Sequence, residues 1–334
     1  MNYYSKSRMK LSDLFLEFRP GKFLSSLIPE MLSMSHTIVP MNGIFDAEYF
    51  DISSSHIEDT FRIFVGKPAT VEPDKLYPTI FALDGNAAFS SLLGTQRMLT
   101  QGGEVPPSFV IGIGYPGKTL TESMERRNRD YAPTDPGENE IKTLGGAFPA
   151  GGPAFLKFIQ DELMPLLTRN YAMDTGDTTL SGVSLGGLFA SWVLLTEPQT
   201  FKRYILGSPA VWWRNEQVWE WEEEFARNHK DLVARVFVSA GALEIEQHIR
   251  ADAVGMAEGN PLLREYITDV INWNDEHGWP ENAKLSTKFA RRLQTRAYPN
   301  LKICCHNMPD ENHMSAAPGI TSRGLRYVND SWEP

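Results

Sequence analysis

Ser184 sits in the run Gly182-Val183-Ser184-Leu185-Gly186-Gly187. An apolar stretch, residues 178–181, leads into it. Apolar residues at helical spacing (Leu188, Ala190, Trp192 and Leu195) lead away. Gly-x-Ser-x-Gly between a strand and a helix is the elbow of a nucleophilic serine. The spacing has a mechanical reason. The turn forces the serine into a strained backbone conformation, and side chains at Gly182 or Gly186 are expected to collide with neighbouring chain. The hydroxyl is thereby lifted clear of the strand ends, at a helix N-terminus that favours developing negative charge. The chemistry this implies is acyl transfer through a covalent intermediate.

An alkyl hydroxyl is a poor nucleophile at neutral pH and needs a base, usually a histidine oriented by a carboxylate. Behind an elbow of this kind the acid and then the histidine follow in the chain. Five histidines follow Ser184: His229, His248, His277, His306 and His313. The base belongs in the loop after the last strand. The last strand-like run is 301–306, and Met308-Pro309-Asp310-Glu311-Asn312-His313 is the loop behind it, so His313 fits. His306 reads as a structural residue inside the strand, and the other three as solvated residues of polar helical stretches. The acid follows the preceding run, 235–240, where Gly241-Ala242-Leu243-Glu244-Ile245-Glu246 offers two glutamates. Glu244 is preferred, being still in the turn, whereas Glu246 falls where a helix begins. For the oxyanion, one backbone N–H comes from Leu185. The other comes from the turn Leu83-Asp84-Gly85-Asn86, where Gly85 and Asn86 both remain candidates.

The elements that must position these groups are legible as short runs: 47–53 and 59–66 as a strand pair, then 77–83, 109–114, 178–181, 204–207, 235–240 and 301–306. Nearly continuous apolar character marks strands buried on both faces of a parallel sheet. Between them lie helical periods, for example Phe155, Leu156, Phe158, Ile159, Leu163 and Leu166. The expected fold is a mostly parallel, eight-stranded, doubly wound α/β sheet with helices on both faces, whose ligands bind beyond the carboxyl ends of the strands. Residues 46–334 form the catalytic domain. Residues 1–45 are an N-terminal extension, expected to pack on that domain, with a homodimer contact or an active-site flap as the alternatives. The stretch 247–300 enters between the acid and the base. It therefore reads as a small cap-like insertion that sets substrate preference and takes no part in the chemistry.

Composition removes other classes. Lys and Arg number 32 against 42 Asp and Glu, a net charge of −10. That balance argues against nucleic acid and anionic membranes as partners, and gives no long-range attraction for a polyanionic substrate. No metal-ligand spacing is present, and neither a metal nor any other cofactor is expected. The only cysteines are the neighbours Cys304 and Cys305, so no disulfide framework exists. With no signal-peptide pattern at the N-terminus and no long apolar stretch, the expected setting is cytoplasmic.

Taken in order, the motifs resemble one group, the "putative esterase" branch of the α/β-hydrolase superfamily. That branch includes siderophore esterases such as enterochelin esterase, esterase D and the mycolyltransferases. Beside the serine elbow, the likeness rests on Tyr77-Pro78 with Leu83-Asp84-Gly85-Asn86, on Ile111–Tyr115 and on Arg126-Arg127-Asn128-Arg129-Asp130-Tyr131-Ala132-Pro133-Thr134. It continues in Gly151-Gly152, Ser208-Pro209-Ala210-Val211-Trp212-Trp213, Gly241-Ala242-Leu243-Glu244 and Asn312-His313. The resemblance implies an α/β-hydrolase fold and a Ser184–His313–Glu244 triad. It also implies a rim loop at 129–134 in which Asp130 is structural. The function expected is a serine esterase that cleaves a carboxylic ester of a small molecule through an acyl-enzyme. An acyltransferase with the same triad and a siderophore (ferric enterobactin-like) lactone esterase are the alternatives. A non-enzymatic scaffold would not need the intact set. Trp212 and Trp213 are expected to touch substrate. The length of 247–300 and the whole of 1–45 depart from the group.

Overall fold

The computed structural model describes residues 46–117 and 120–334; the expectations for the extension, residues 1–45, lie outside them. Eight strands form one sheet: β1 (Ala47–Ser53), β2 (Thr60–Gly66), β3 (Tyr77–Ala82), β4 (Phe109–Gly114), β5 (Met173–Val183), β6 (Arg203–Gly207), β7 (Ala234–Ser239) and β8 (Leu301–Cys305). Their order is β1-β2-β4-β3-β5-β6-β7-β8. β2 pairs antiparallel with both neighbours, and every other pairing is parallel. β4 and β7 are buried along their whole length, as strands covered on both faces must be.

The chain moves from β3 outward to β4, then returns to place β5 on the other side of β3. The reversal opens a crevice beyond the carboxyl ends of β3 and β5, where open α/β sheets bind ligands. Both turns singled out for chemistry leave these two strands. Their ends are in register, Ala82 opposite Ser181, and the Leu83 N–H donates to the Ser181 carbonyl at 2.9 Å.

Helices cover both faces. They are α1 (Gly85–Gln101), α2 (Leu120–Tyr131), α3 (Glu138–Leu144), α4 (Gly152–Lys157), α5 (Met164–Asn170), α6 (Leu185–Thr196) and α7 (Val218–Asn228). After β7 come α8 (Glu246–Gly259), α9 (Arg264–His277), α10 (Asn282–Thr295) and, after β8, α11 (Ala317–Val328). The helical period at 155–166 forms one rod. Its middle, Phe158–Leu163, widens into a π turn just before Pro165, which has no N–H to give the regular ladder. α6 is buried on nearly every side, because it crosses the middle of the sheet. Among the described residues, no helix is long and apolar enough to cross a membrane.

The cap expectation needs correction in part. α8 and α9 pair around a small cluster of their own, Ala257, Ile267 and Ile271. Tyr266 and Trp273 of α9 donate to the Thr143 carbonyl and to Asn139 of the α3 region. α10 is different: it packs on β7 and β8, with Phe289, Ala290 and Leu293 fully buried in the main core. The excursion is therefore the α8–α9 hairpin alone, and α10 belongs to the layer that covers the sheet.

Candidate active site

Ser184 links β5 to α6 with φ 61° and ψ −120°, a region in which only glycine is at ease. The tight turn explains the glycines, with one revision. A Cβ at Gly182 would lie 2.4 Å from the Gly186 carbonyl oxygen, and one at Gly187 would lie 2.9 Å from the Gly207 carbonyl oxygen. A Cβ at Gly186 would meet nothing closer than 3.5 Å. The steric demand thus falls on Gly182 and Gly187, and the expected collision at Gly186 does not occur. Two bonds brace the strain: the Ser184 N–H donates to the Gly207 carbonyl at 2.9 Å, and the Ala210 N–H to the Ser184 carbonyl at 3.1 Å. Ser184 stays partly exposed.

The acid and the base come together as two loops laid side by side. Beyond β7 and β8 the Ala242 N–H donates to the Met308 carbonyl (2.8 Å) and the Leu243 N–H to the Glu311 carbonyl (3.0 Å). Gly241 permits this approach: a Cβ there would lie 2.3 Å from the Glu311 carbonyl oxygen. His313 Nδ1 then meets Glu244 Oε2 at 2.7 Å. Against a carboxylate Nδ1 carries the proton, which leaves Nε2 as the free acceptor. The Asn312 side chain caps the following N–H groups of Met314 and Ser315 at 3.1 Å and so fixes the turn that holds the ring.

Glu244 is 1% exposed. Its Oε1 accepts from the Ser208 hydroxyl (2.5 Å) and the Gly241 N–H (2.7 Å). Its Oε2 accepts from Asn282 Nδ2 at 2.8 Å as well as from the imidazole. Burial pushes its carboxyl up, but the bond and charge of His313, with Ser208 and Asn282, outweigh that and hold it below the usual carboxylate range. Glu246 is exposed on the first turn of α8, as expected for a surface glutamate.

The oxyanion turn follows β3. Gly85 is buried, and a Cβ on it would lie 2.7–2.8 Å from backbone atoms of Gly112 and Ile113. Asn86 is exposed, and its side chain is locked by two bonds with the Tyr115 backbone, 2.7 and 2.9 Å. Both N–H groups belong to the first turn of α1, and Leu185 to that of α6, where no partner exists within the helix.

The comparisons with known proteins fit this geometry. The family described as "Putative esterase" matches residues 54–281. The chain is 34% identical to the ferri-bacillibactin esterase BesA of Bacillus subtilis, over 83% of this chain and 87% of that protein. It is 31% identical to a siderophore enterobactin esterase of Emericella nidulans, over 75% of this chain and 82% of that protein. Among solved structures, the BES protein of Bacillus cereus superposes with a TM-score of 0.67 at 29% identity, covering 86% of this chain and 97% of the other. The chain belongs to this esterase family. It has the α/β-hydrolase fold and is a serine hydrolase of carboxylic esters.

Several residues of the esterase site were not singled out in the sequence. Arg127 donates to both Asp84 oxygens (2.5 and 3.1 Å) and to the Val183 carbonyl (3.2 Å), so one guanidinium ties the turn after β3 to the residue before Ser184. The Asp84 N–H donates to the Tyr131 hydroxyl at 2.7 Å. Both residues stand in the Arg126–Thr134 motif; of the rim loop expected at 129–134, residues 129–131 are the end of α2. Asp130 is fully buried, with Oδ1 taken by Arg129 and Oδ2 by Tyr115, as a structural residue would be. Ser208 opens one of the motifs of the resemblance, but its bond to Glu244, 36 residues away, has no sequence signal, and Asn282, 38 residues from Glu244, carries no local mark at all. Trp213 is a correction. It is 0% exposed, donates to Thr134 and packs on Phe148, so it cannot touch a substrate. Trp212 is half-buried at the end of the Ser208–Trp212 loop. His306 is half-buried edge-on to Trp332, and burial together with Arg323 lowers its pKa.

Proposed function

We propose that Ser184, His313 and Glu244 act as the catalytic triad of this esterase and that its substrate is an iron-loaded siderophore lactone. Ser184 Oγ attacks the ester carbonyl and passes its proton to His313 Nε2. Glu244 holds the ring and stabilises the imidazolium that forms. The tetrahedral oxyanion takes N–H bonds from Leu185 and from the turn after β3. Asn86 is the better second donor, being exposed and fixed by its side chain where Gly85 is packed away. The alcohol leaves with the proton from Nε2, and water, activated by the same nitrogen, releases the acid. The observation that carries this reading is the 2.7 Å Glu244–His313 bond, formed across 69 residues.

The substrate class rests on the two relatives, named for ferri-bacillibactin and for enterobactin. The net charge of −10 offers an anionic complex no long-range attraction. The free pair Cys304 and Cys305 supports a reducing, cytoplasmic setting. The test is a rate comparison among a ferric catecholate trilactone, its iron-free form and p-nitrophenyl acetate, with products read by mass spectrometry. The ferric lactone should be opened with kcat/KM at least about 100-fold above the simple ester, a difference of about 2.7 kcal/mol in transition-state binding. A preference for p-nitrophenyl acetate, or transfer to an added alcohol in place of hydrolysis, would overturn it.

A further inference from the structure

The acid loop is gripped by three consecutive residues at the start of α10. Glu281 Oε1 accepts from the Glu246 N–H (3.2 Å), Asn282 Nδ2 donates to Glu244 Oε2 (2.8 Å), and the Ala283 N–H donates to the Glu244 carbonyl (3.2 Å). Only the middle contact reaches the carboxylate. It lands on the oxygen that also receives His313 Nδ1, so Asn282 and the imidazole share one acceptor. Sharing fixes the direction of the remaining lone pair and hence the plane of the ring.

The side chain accepts an unfavourable arrangement to do this. Asn282 is 93% buried, yet among the described residues no donor reaches its Oδ1. The opposite amide orientation would set that oxygen against the carboxylate, where like charge repels. A residue needed only for packing at the head of α10 would be apolar, since a buried amide that meets half its bonds is destabilising.

We infer that Asn282 is a positioning residue of the esterase reaction: its amide N–H sets the orientation of Glu244, and through it that of His313. This rests on the triad assignment above. It also changes the part played by the insertion, because α8 and α9 leave the acid loop at Glu246 and return to it at Glu281.

The test compares Asn282→Ala with Asn282→Asp, each measured beside Ser184→Ala and wild type. Asn282→Asp keeps the shape and replaces the donor by a carboxylate facing Glu244, whereas Asn282→Ala only deletes the donor. A positioning role predicts kcat falling about tenfold for Ala and about 100-fold for Asp, with KM within twofold of wild type in both. The downfield proton resonance of the His313 Nδ1–H should move in both variants, and more in Asn282→Asp. A packing role predicts lowered stability in Asn282→Ala with kcat within twofold of wild type and the His313 resonance unmoved, and that outcome would overturn the inference. If Asn282→Ala fails to fold, the rate and resonance of Asn282→Asp decide alone: both unchanged from wild type would overturn it. Activity surviving in Ser184→Ala would instead overturn the triad, whatever Asn282 does.

Discussion

The proposed nucleophile and the proposed acid–base pair stand at the same edge of the sheet but are built in opposite ways. The serine turn is local: Gly182, Ser184 and Gly187 lie within six residues, and its strain is braced by backbone bonds to the end of β6 and to Ala210 just beyond it. The acid and base are assembled from Gly241–Glu244, Met308–His313, Ser208 and Asn282, four separate pieces of chain. A local device is written in one motif and tolerates change elsewhere. A composite device depends on several elements being in place, and each offers a separate way to weaken it.

Ser184→Ala should separate the two devices most sharply. Turnover should fall more than ~10³-fold, while the Glu244–His313 bond, and with it the fold, stays intact; thermal melting and esterase assay together check this. Next, Glu244→Gln should lower kcat by about 10²–10⁴-fold through lost ring orientation, and Glu246→Gln by less than about threefold as a surface charge. Reversal of these two would move the acid to Glu246. The glycine turn gives a third contrast. Gly182→Ala forces Cβ against backbone and should abolish activity or folding, whereas Gly186→Ala, with 3.5 Å of room, should keep activity within a few-fold and leave the melting temperature unchanged. Equal damage from both would refute the steric account.

The smallest effect is one of pH. The Glu244 carboxyl is held below its ordinary value near 4.5 in the folded chain. The unfolded chain therefore binds its proton more tightly. This stabilisation is complete above about that pH and is lost as pH falls through the lower, folded value. Denaturant melts of wild type and Glu244→Gln should accordingly differ most near neutrality and converge in acid. A gap that widened on acidification would mean the carboxyl is raised, not lowered.

How much of this was legible in the sequence follows the same division. The eight strands appear as apolar runs, with bounds that agree closely except at β5. There the polar stretch Asp174-Thr175-Gly176-Asp177 extends the strand with no apolar signal. The elbow at Ser184 and the meeting of Glu244 with His313 were legible because each residue follows a strand end, in chain order. The partners of Ser208 and Arg127, which stand in motifs of the resemblance, were not, nor was Asn282 in any respect, since a hydrogen bond spanning 36, 38 or 43 residues leaves no periodicity. Trp213 misled for a related reason. An aromatic beside the site looks the same in sequence whether it faces the mouth or, as here, turns into the core to meet Thr134. The insertion misled likewise: its helical pattern did not separate α10, wired to the acid, from the α8–α9 hairpin.

In the proposed mechanism one serine is made reactive by the elbow and by the composite base behind it. Peptide mass spectrometry after treatment with a fluorophosphonate measures that directly. A single adduct is expected, on Ser184, forming rapidly in wild type and much more slowly in Glu244→Gln. An adduct on any other serine, or labelling of Ser184 at the same rate in both, would contradict it.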